Sequence, residues 1–378
     1  MRPAALHIDL DAIRYNVRFI QQLIGPGVRQ AAIVKANAYG HGAVPVSQAC
    51  LQAGVQMLCV AIADEAVELR EAGITAPVLV LGPPTRDEAE LYARYNIMAT
   101  LSAVEHAQMV TEAAARLGRG VKVHIKIDSG MGRHGARADV VEDLAACVAA
   151  SPHLTVDGIF SHFGSACSPD LSCAEEQLDQ FRRLLPKVLA HVGADRPAVH
   201  IANSGAIVRM PDTRFDYVRP GAILYGLNPG FDDSLMPPLR PAMSLHNILA
   251  TVKRLEKGAP VGYNRAWHAP RDTILGILPL GYADGYSRQL SNNAEVLVGG
   301  RRCPLVGMVS MDAITVDVTD VPGAKVGDEV VLIGAQGDER ITVEEISRRA
   351  GTIVQETVSR MSSRLPRIYH GQLATEET

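Results

Sequence analysis

Cysteine is scarce in this chain: there are six among 378 residues, and none forms a C-x-x-C pair. A chain of this length with so few cysteines does not depend on disulfide bridges, and their spacing does not match a zinc cluster. Four histidines, His41, His124, His162 and His200, also lack the i, i+4 spacing of helical metal ligands. We therefore expect reduced thiols, a cytoplasmic location and no metal site.

An excess of positive charge and a long hydrophobic run are also absent. The net charge is −4 and the pI is about 6.3, so we expect neither nucleic acid nor a membrane surface as a partner. Residues 1–16 carry Asp9 and Asp11 and no continuous apolar segment, which predicts neither a signal peptide nor a membrane span. With 47% hydrophobic and 21% charged residues, the composition is that of a soluble globular protein.

Strand-like and helix-like segments alternate through the first part of the chain. Apolar, β-rich runs are followed by stretches with helical spacing, such as Asp64–Glu71 and Arg86–Tyr95, and turn residues fill the gaps. This alternation indicates parallel strands joined by crossover helices, and eight units fit a closed barrel better than an open sheet. The eight strand candidates are "AAIVKAN", "MLCVAIA", "VLVLG", "IMATLS", "VKVHIKID", "VDGIFSHF", "AVHIANS" and "VRPGAILYG".

The pattern changes after about Asp232, where the proline-rich segment "DDSLMPPLRPAMS" resembles a domain boundary. Beyond it come short strands with tight breaks, the hairpin-like turns "VGGRR" and "GAQGD", and a helical pattern only at Val343–Ala350. The sequence thus predicts an α/β protein, with an N-terminal (β/α)₈ TIM-type barrel over residues 1–235 and a mostly β C-terminal domain over residues 236–378. Pairing of residues 1–9 with the second domain is left open.

Polar residues follow the ends of the predicted barrel strands, where the active site of this fold lies. The "NSG" after the seventh strand and the "PGA" of the eighth stand where such barrels often hold a phosphate, although "NSG" is also typical of a helix N-cap and turn. The candidate residues are Lys35, Tyr39, Lys126, Asp128, Arg133, His162, His200, Asn203, Ser204, Arg219 and Gly221.

A lysine at a strand end beside a phosphate site suggests pyridoxal 5′-phosphate. This cofactor needs a lysine for imine formation, a phosphate cradle, and a partner for its pyridine nitrogen. Lys35 and Arg219 are candidates for the first and the last of these roles. An arginine leaves the nitrogen unprotonated, which weakens the electron sink and suits a reaction that only moves a proton. Taken alone, Lys35 is better explained as a solvated lysine at a strand end.

The run "VKANAYGHG" resembles the cofactor-lysine signature of the alanine racemase family, whose members are pyridoxal-phosphate enzymes with a barrel and a β domain. The resemblance covers nearly the whole chain, because further blocks occur in the family's order. These blocks are "HIKIDSGMGRHG", "FSHF", "HIANSGA", "VRPGAILYGLNP", "LPLGYADGY", "VGMVSMDAITVDV" and "RLPRIY".

The resemblance implies a homodimer that interconverts L- and D-alanine with two bases on opposite faces of the substrate. Lys35 would hold the cofactor as an imine and act as one base, and Tyr282, from the other subunit, would be the second. Arg133 would contact the phenolic oxygen of the cofactor and lie near the substrate carboxylate. Lys126 would be carbamylated and would then steady Arg133.

Further roles are implied in the same way. His162 would lie close to Tyr282, and Arg219 would meet the pyridine nitrogen. The Met311 backbone N–H, from the other subunit, would bind the substrate carboxylate. The residues implied around the cofactor phosphate are Tyr39, Ser204, Gly221 and Ala222.

Ser363 is a departure from the family pattern, since some members carry there a tyrosine that touches the phosphate and narrows the substrate entrance. A racemase with broader specificity for small amino acids therefore stays open. A barrel-type pyridoxal-phosphate decarboxylase is a second alternative, and a non-catalytic cofactor carrier is a third. D-Alanine for peptidoglycan and alanine catabolism are the two biological roles that the resemblance implies.

Overall fold

Eight short parallel strands form a barrel in the first part of the chain. The structure is a computed structural model that describes residues 2–192 and 196–371. Hydrogen bonds join the eight strands side by side in one sheet. The parallel bridge between Leu79 and Met98 joins the two outer strands of this sheet and so closes the barrel. After the N-terminal strand β1 (Ala5–Asp9), the barrel strands are β2 (Arg29–Ile33), β3 (Met57–Val60), β4 (Val78–Val80), β5 (Ala99–Leu101), β6 (Val121–Lys126), β7 (Leu154–Phe160), β8 (Ala198–His200) and β9 (Tyr217–Val218).

Helices connect these strands and cover the outside of the barrel. α1 shows why they form: Asp9 caps it by accepting from the Ala12 N–H at 2.9 Å, and Ile13, Val17 and Ile20 recur on its buried face. In the described part of the chain, no helix is both long and apolar enough to cross a membrane. The helices of this part are α1 (Leu10–Ile24), α2 (Lys35–Tyr39), α3 (Ala43–Gln52), α4 (Ala63–Glu71), α5 (Ala89–Arg94), α6 (Val104–Leu117), α7 (Val141–Ala150), α8 (Ser172–Leu189) and α9 (Ser204–Arg209).

The second part of the chain is mostly β, and this confirms the predicted fold class. Its strands are β10 (Met243–Ile248), β11 (Thr251–Leu255), β12 (Pro260–Val261), β13 (Trp267–His268), β14 (Thr273–Leu278), β15 (Glu295–Val298), β16 (Arg301–Pro304), β17 (Ile314–Asp317), β18 (Glu329–Gln336), β19 (Glu339–Ile341) and β20 (Arg367–His370). Both predicted hairpin turns are present, between β15 and β16 and between β18 and β19. β1 lies between β10 and β20 in the largest sheet of this part.

Among the described residues of this second part there are two α-helices, α10 (Val343–Arg349) and α11 (Val354–Ser359). The expectation of a single helix at Val343–Ala350 was therefore wrong. α11 follows α10 after only a short turn at Gly351 and Thr352, and its six residues are too few for a visible period in the sequence.

The inside of the barrel has two chemically different halves. Ala31, Ile33, Met57, Cys59, Leu79 and Met98, on strands β2 to β5 and at their ends, form an apolar cluster. Strands β6 to β9 instead point His124, Lys126 and His200 inward, and all three are buried. Barrels of this fold are usually filled by branched apolar side chains. The polar half therefore marks the side on which chemistry is concentrated.

Candidate active site

Lys35 lies just beyond the end of β2 and not on the strand itself. The strand ends at Ile33, and Lys35 opens the single turn α2. From Ala36 to Tyr39 the φ angles are between 52° and 54°, so this turn is left-handed. Left-handed geometry costs a non-glycine residue roughly 1–2 kcal/mol, and such strain is concentrated at functional sites. The turn aims Lys35 into the mouth of the barrel.

Hydrogen bonds from neighbouring elements hold this strained turn. The carboxylate of Glu65, on α4, accepts from the Ala36 N–H at 2.6 Å and from the Ala61 N–H at 2.7 Å. The ring of His41 lies with Nδ1 3.0 Å from the carbonyl oxygens of both Ala38 and Tyr39. Burial lowers the pKa of His41 to about 4, so the neutral ring donates from Nδ1 to these carbonyls.

A cavity of about 600 Å³ opens at the carboxyl ends of the barrel strands. It brings together most of the residues singled out from the sequence, which are Lys35, Tyr39, Lys126, Arg133, His162, Ser204, Arg219, Gly221 and Ala222. Sequence reasoning missed others that line it, among them Thr85, Glu88, His134, Cys167 and Gln355. Gln355 comes from α11, so the second part of the chain also contributes to the wall.

The cavity is strongly cationic. Four cationic side chains line it, and Glu88 is the only carboxylate among the described lining residues. Burial, followed by the charge of Arg133, lowers the pKa of Lys35. Burial, followed by the charges of Arg219 and Arg133, lowers the pKa of Lys126 to about 8. The arrangement destabilises its own cations and therefore favours an anionic ligand.

Ser204, Gly221 and Tyr39 form one end of the cavity. The Ser204 hydroxyl accepts from the Gly221 N–H at 2.9 Å, which leaves its own O–H free to donate to a ligand. A Cβ at Gly221 would lie 3.0 Å from the Tyr39 hydroxyl, so the glycine leaves room there. Burial raises the pKa of Tyr39 to about 12, so the phenol stays a neutral donor. These groups can hold an anion such as a phosphate.

Arg219 is fully buried and is held by several acceptors. One terminal nitrogen lies 2.6 Å from Nδ1 of His200, and the other donates to the Ser161 carbonyl at 2.7 Å and lies 3.2 Å from Nδ1 of His162. Its Nε–H has no hydrogen-bond partner among the described residues, and the side chain lines the cavity. This N–H is therefore available to a ligand atom with a lone pair.

Tyr282 and Met311 do not line this cavity but lie together on the surface of the second part of the chain. The Tyr282 N–H donates to the Ser310 carbonyl at 3.1 Å, and the Ala283 N–H donates to the Met311 carbonyl at 3.1 Å. The side chains of Tyr282 and Met311 are 42% and 52% exposed. The Met311 N–H has no partner within the described ranges, so it can bind a further group.

Buried Asp284 supports this pair of loops. Its carboxylate accepts from Arg2 at 2.5 and 2.7 Å and from the Gly281 N–H at 3.0 Å. Arg364 pairs with Asp284 at 3.1 Å and with Asp312 at 2.5 Å, which ties the Tyr282 loop to the Met311 loop.

Two family models match the chain in succession. The model for "Alanine racemase, N-terminal domain" matches residues 8–229, and the model for "Alanine racemase, C-terminal domain" matches residues 242–369. The chain belongs to the alanine racemase family. The resemblance seen in the sequence motifs is confirmed.

Relatives extend this match over the full length. The alanine racemase of Symbiobacterium thermophilum is 42% identical over 375 residues, with 99% of both chains covered, and that of Halothermothrix orenii is 39% identical, with 98% of both covered. Among solved structures, the alanine racemase from Bacillus anthracis with bound L-Ala-P has a TM-score of 0.92 at 37% identity, covering 98% of this chain and 96% of that one. The chain is therefore an amino-acid racemase, which is an isomerase.

One residue of interest lies outside the racemase cavity. Ser363 is exposed, and it is not among the described residues that line the cavity. Gln355 lines it from the same part of the chain, and its Oε1 is buried without a hydrogen-bond partner in the described structure. Gln355 therefore contributes an amide to the cavity wall, whereas Ser363 does not line the cavity.

Proposed function

We propose that this racemase interconverts L-alanine and D-alanine with pyridoxal 5′-phosphate, by removing the α-proton on one face and returning a proton on the other. One observation carries the proposal: a single cavity joins Lys35, the unpaired Nε–H of Arg219 and the Ser204–Gly221 cradle. Incubation of either enantiomer with the protein and the cofactor tests it. We expect both enantiomers to approach equal concentrations, and an unchanged starting enantiomer would contradict the proposal.

The cavity fits this cofactor in size and charge. About 600 Å³ lies within the usual range for cofactor pockets. Its cationic side chains match a phosphate and a phenolic oxygen, and Lys35 provides the amine for covalent attachment. Once bound, the cofactor supplies the electron-withdrawing ring that acidifies the α-hydrogen of an amino acid. The protein then has to place the bases, orient the substrate carboxylate and hold the ring.

Arg219 favours racemisation over decarboxylation. A guanidinium has only donors. A pyridine nitrogen of the cofactor held against Arg219 would therefore keep its lone pair. A barrel-type decarboxylase is expected to place a carboxylate at this position, and Glu88 is the only carboxylate among the described lining residues. We expect no release of carbon dioxide from alanine, and measurable release would favour the decarboxylase.

Lys35 suits the role of one base. Its lowered pKa increases the fraction of neutral amine at working pH, and only the neutral amine can accept a proton. Tyr282 is proposed as the opposing base, and its exposed position outside its own cavity suggests that it serves the cavity of a second subunit. A homodimer with shared sites follows from this proposal.

The substrate carboxylate has two proposed partners. Arg133 lines the cavity and forms no ion pair with another described residue, so its guanidinium is free for an anion. The Met311 N–H, proposed to come from the second subunit, is a further donor without a partner in the described structure. His162 is proposed to lie beside Tyr282. Nδ1 of His162 accepts from Arg219, so the neutral His162 ring carries its proton on Nε2.

Lys126 is expected to form a carbamate that steadies Arg133. Carbamylation requires a neutral amine, and the pKa of about 8 leaves roughly a tenth of the Lys126 amine neutral at pH 7 and about half at pH 8. With ¹³C-labelled bicarbonate, a carbamate NMR signal should grow as the pH is raised through about 8 at constant dissolved carbon dioxide. The signal should disappear in Lys126→Met and persist in Lys253→Met, where the lysine is exposed. An unchanged signal in Lys126→Met would contradict the assignment.

Ser363→Tyr is expected to narrow the specificity for small amino acids. A tyrosine adds a bulky ring at the proposed entrance, and steric differences of this kind change discrimination by about tenfold or more. We expect the ratio of kcat/KM for serine to that for alanine to fall by about this factor. Equal ratios before and after the change would remove the hypothesis of broader specificity.

D-Alanine for cell-wall peptidoglycan is the proposed biological product, made in the cytoplasm. All six cysteines are free thiols, which is typical of a reducing compartment. Expression in a bacterium that requires D-alanine for growth should relieve that requirement. Continued dependence on added D-alanine, with active protein present, would contradict the proposed product.

A further inference from the structure

A row of contacting side chains runs through the polar half of the barrel, from buried Arg219 to Asp157, whose side chain is 28% exposed. Arg219 lies 2.6 Å from Nδ1 of His200, and Nε2 of His200 lies 2.9 Å from Nδ1 of His124. Nε2 of His124 lies 3.6 Å from Oδ2 of the partly exposed Asp157, which is beyond hydrogen-bond distance, so this last contact is electrostatic. His124 and His200 are fully buried.

The position of every ring proton in this row follows from the donor at its start. A guanidinium can only donate, so Nδ1 of His200 must be the acceptor and its proton must be on Nε2. That proton points at Nδ1 of His124, which must accept it, so the proton of His124 is also on Nε2. This last N–H points at the Asp157 carboxylate. A protonated His200 would instead place an N–H against the Arg219 N–H at 2.6 Å.

The charge states agree with this order. Burial lowers the pKa of His124 and, together with the charge of Arg219, lowers that of His200, so both rings are neutral. The His124 ring, followed by the Lys122 ammonium at 2.8 Å, holds the pKa of the Asp157 carboxyl below its usual range. The row therefore has a cation at the cavity end and a carboxylate at the other.

The backbone of β7 is shaped around His124. β7 pairs with β6 in parallel, but the register shifts so that Val123 faces Val156 and His124 faces Gly158, which leaves Asp157 as an extra residue. A Cβ at residue 158 would lie 2.4 Å from two atoms of the His124 ring, so a glycine is required there. A bulge and a glycine together place Asp157 and make room for the ring.

We propose that Asp157 and His124 are positioning residues that stabilise the order of protons set by Arg219, with the His200 proton on Nε2, so that Arg219 keeps one orientation in the wall of the cavity. The importance of this orientation for racemisation rests on the proposed function, in which Arg219 faces the pyridine nitrogen. In this row Asp157 supplies the negative charge at the end opposite the buried Arg219 guanidinium. The Lys122 contact keeps that carboxylate at the end of the row.

Asp157→Asn tests the proposal without a large change in shape. An amide carries no charge and can turn either its oxygen or its NH₂ to His124, so it no longer supports the order of ring protons that Arg219 sets. ¹⁵N NMR of the full-length protein, labelled in histidine and measured with and without the cofactor, reads the two rings directly. We expect Nε2–H forms of His124 and His200 in the wild type and mixed or reversed forms in Asp157→Asn.

The kinetic expectation is a loss in kcat of about tenfold or more, with a much smaller change in the KM for alanine, because Asp157 touches neither substrate nor cofactor. Asp157→Glu keeps the carboxylate and should restore most of the rate. Gly158→Ala keeps Asp157 but displaces the His124 ring, and it should lower kcat in the same way. The matched control is Asp320→Asn, which changes the exposed carboxylate of the Arg271–Asp320 ion pair in the second part of the chain.

The outcomes separate this proposal from the proposed function. Unchanged ring protonation in Asp157→Asn, or a wild-type His200 with its proton on Nδ1, overturns the positioning role even if racemisation is confirmed. If the histidine rings are protonated as expected but the protein does not racemise alanine, the positioning role stands and the proposed function fails. If Asp157→Asn does not fold, the wild-type spectra and Gly158→Ala still decide.

Discussion

Lys35→Ala is expected to abolish covalent attachment of the cofactor and to lower racemisation by at least about a thousandfold, because the change removes both the attaching amine and one base. After reduction with borohydride, mass spectrometry should find the cofactor on the wild-type peptide that contains residue 35 and should find none in the variant. Chiral chromatography of alanine measures the rate.

The fold should survive this change. The ammonium of Lys35 is disfavoured by burial and by Arg133, so its removal relieves repulsion within the cavity. The melting temperature of the cofactor-free variant should therefore equal or exceed that of the wild type. Lys325→Ala, an exposed lysine of the second part, serves as the control and should keep both attachment and rate. A cofactor still bound covalently in Lys35→Ala would contradict the assignment of the lysine.

Tyr282→Phe is expected to have the second largest effect, about a thousandfold on racemisation, while covalent attachment at Lys35 is retained. The phenylalanine keeps the ring but cannot accept or return a proton. With Lys35 still present, one enantiomer of alanine should still exchange its α-hydrogen with solvent deuterium without inversion. Tyr95→Phe, at the end of α5 on the outside of the barrel, is the matched control. Full racemisation by Tyr282→Phe would contradict the two-base account.

Mixing the two variants tests the shared site. Each homodimer lacks one base in both sites, whereas a mixed dimer has one site with both defects and one site with neither. Random re-association should restore about a quarter of the wild-type rate, because half of the dimers are mixed and each has one complete site. If the two bases came from the same subunit, mixing would restore nothing.

The barrel was predictable from the sequence because its strands are apolar runs separated by helices and turn residues. All eight strand candidates overlap a barrel strand, although "VRPGAILYG" shares only Val218 with β9. Their ends were less well placed: β2 stops at Ile33 and β7 stops at Phe160, short of Lys35 and His162. Polar residues just beyond a strand continue its pattern in the sequence, whereas the backbone has already turned away.

The left-handed turn was not predictable. Ala36 and Ala38 have no intrinsic preference for positive φ, and only contacts with distant residues such as Glu65 and His41 impose it. The same holds for the bulge at Asp157, which depends on the space that the His124 ring needs next to Gly158. The order of His200 and His124 between Arg219 and Asp157 also required coordinates.

The most direct test of the central claim is a single incubation of purified protein and cofactor with L-alanine in deuterium oxide. The account predicts that the D-alanine formed carries deuterium at its α-carbon, because the proton is removed by one base and a solvent-derived deuteron is returned by the other. D-Alanine that retains the original hydrogen, or the absence of any D-alanine, would contradict it.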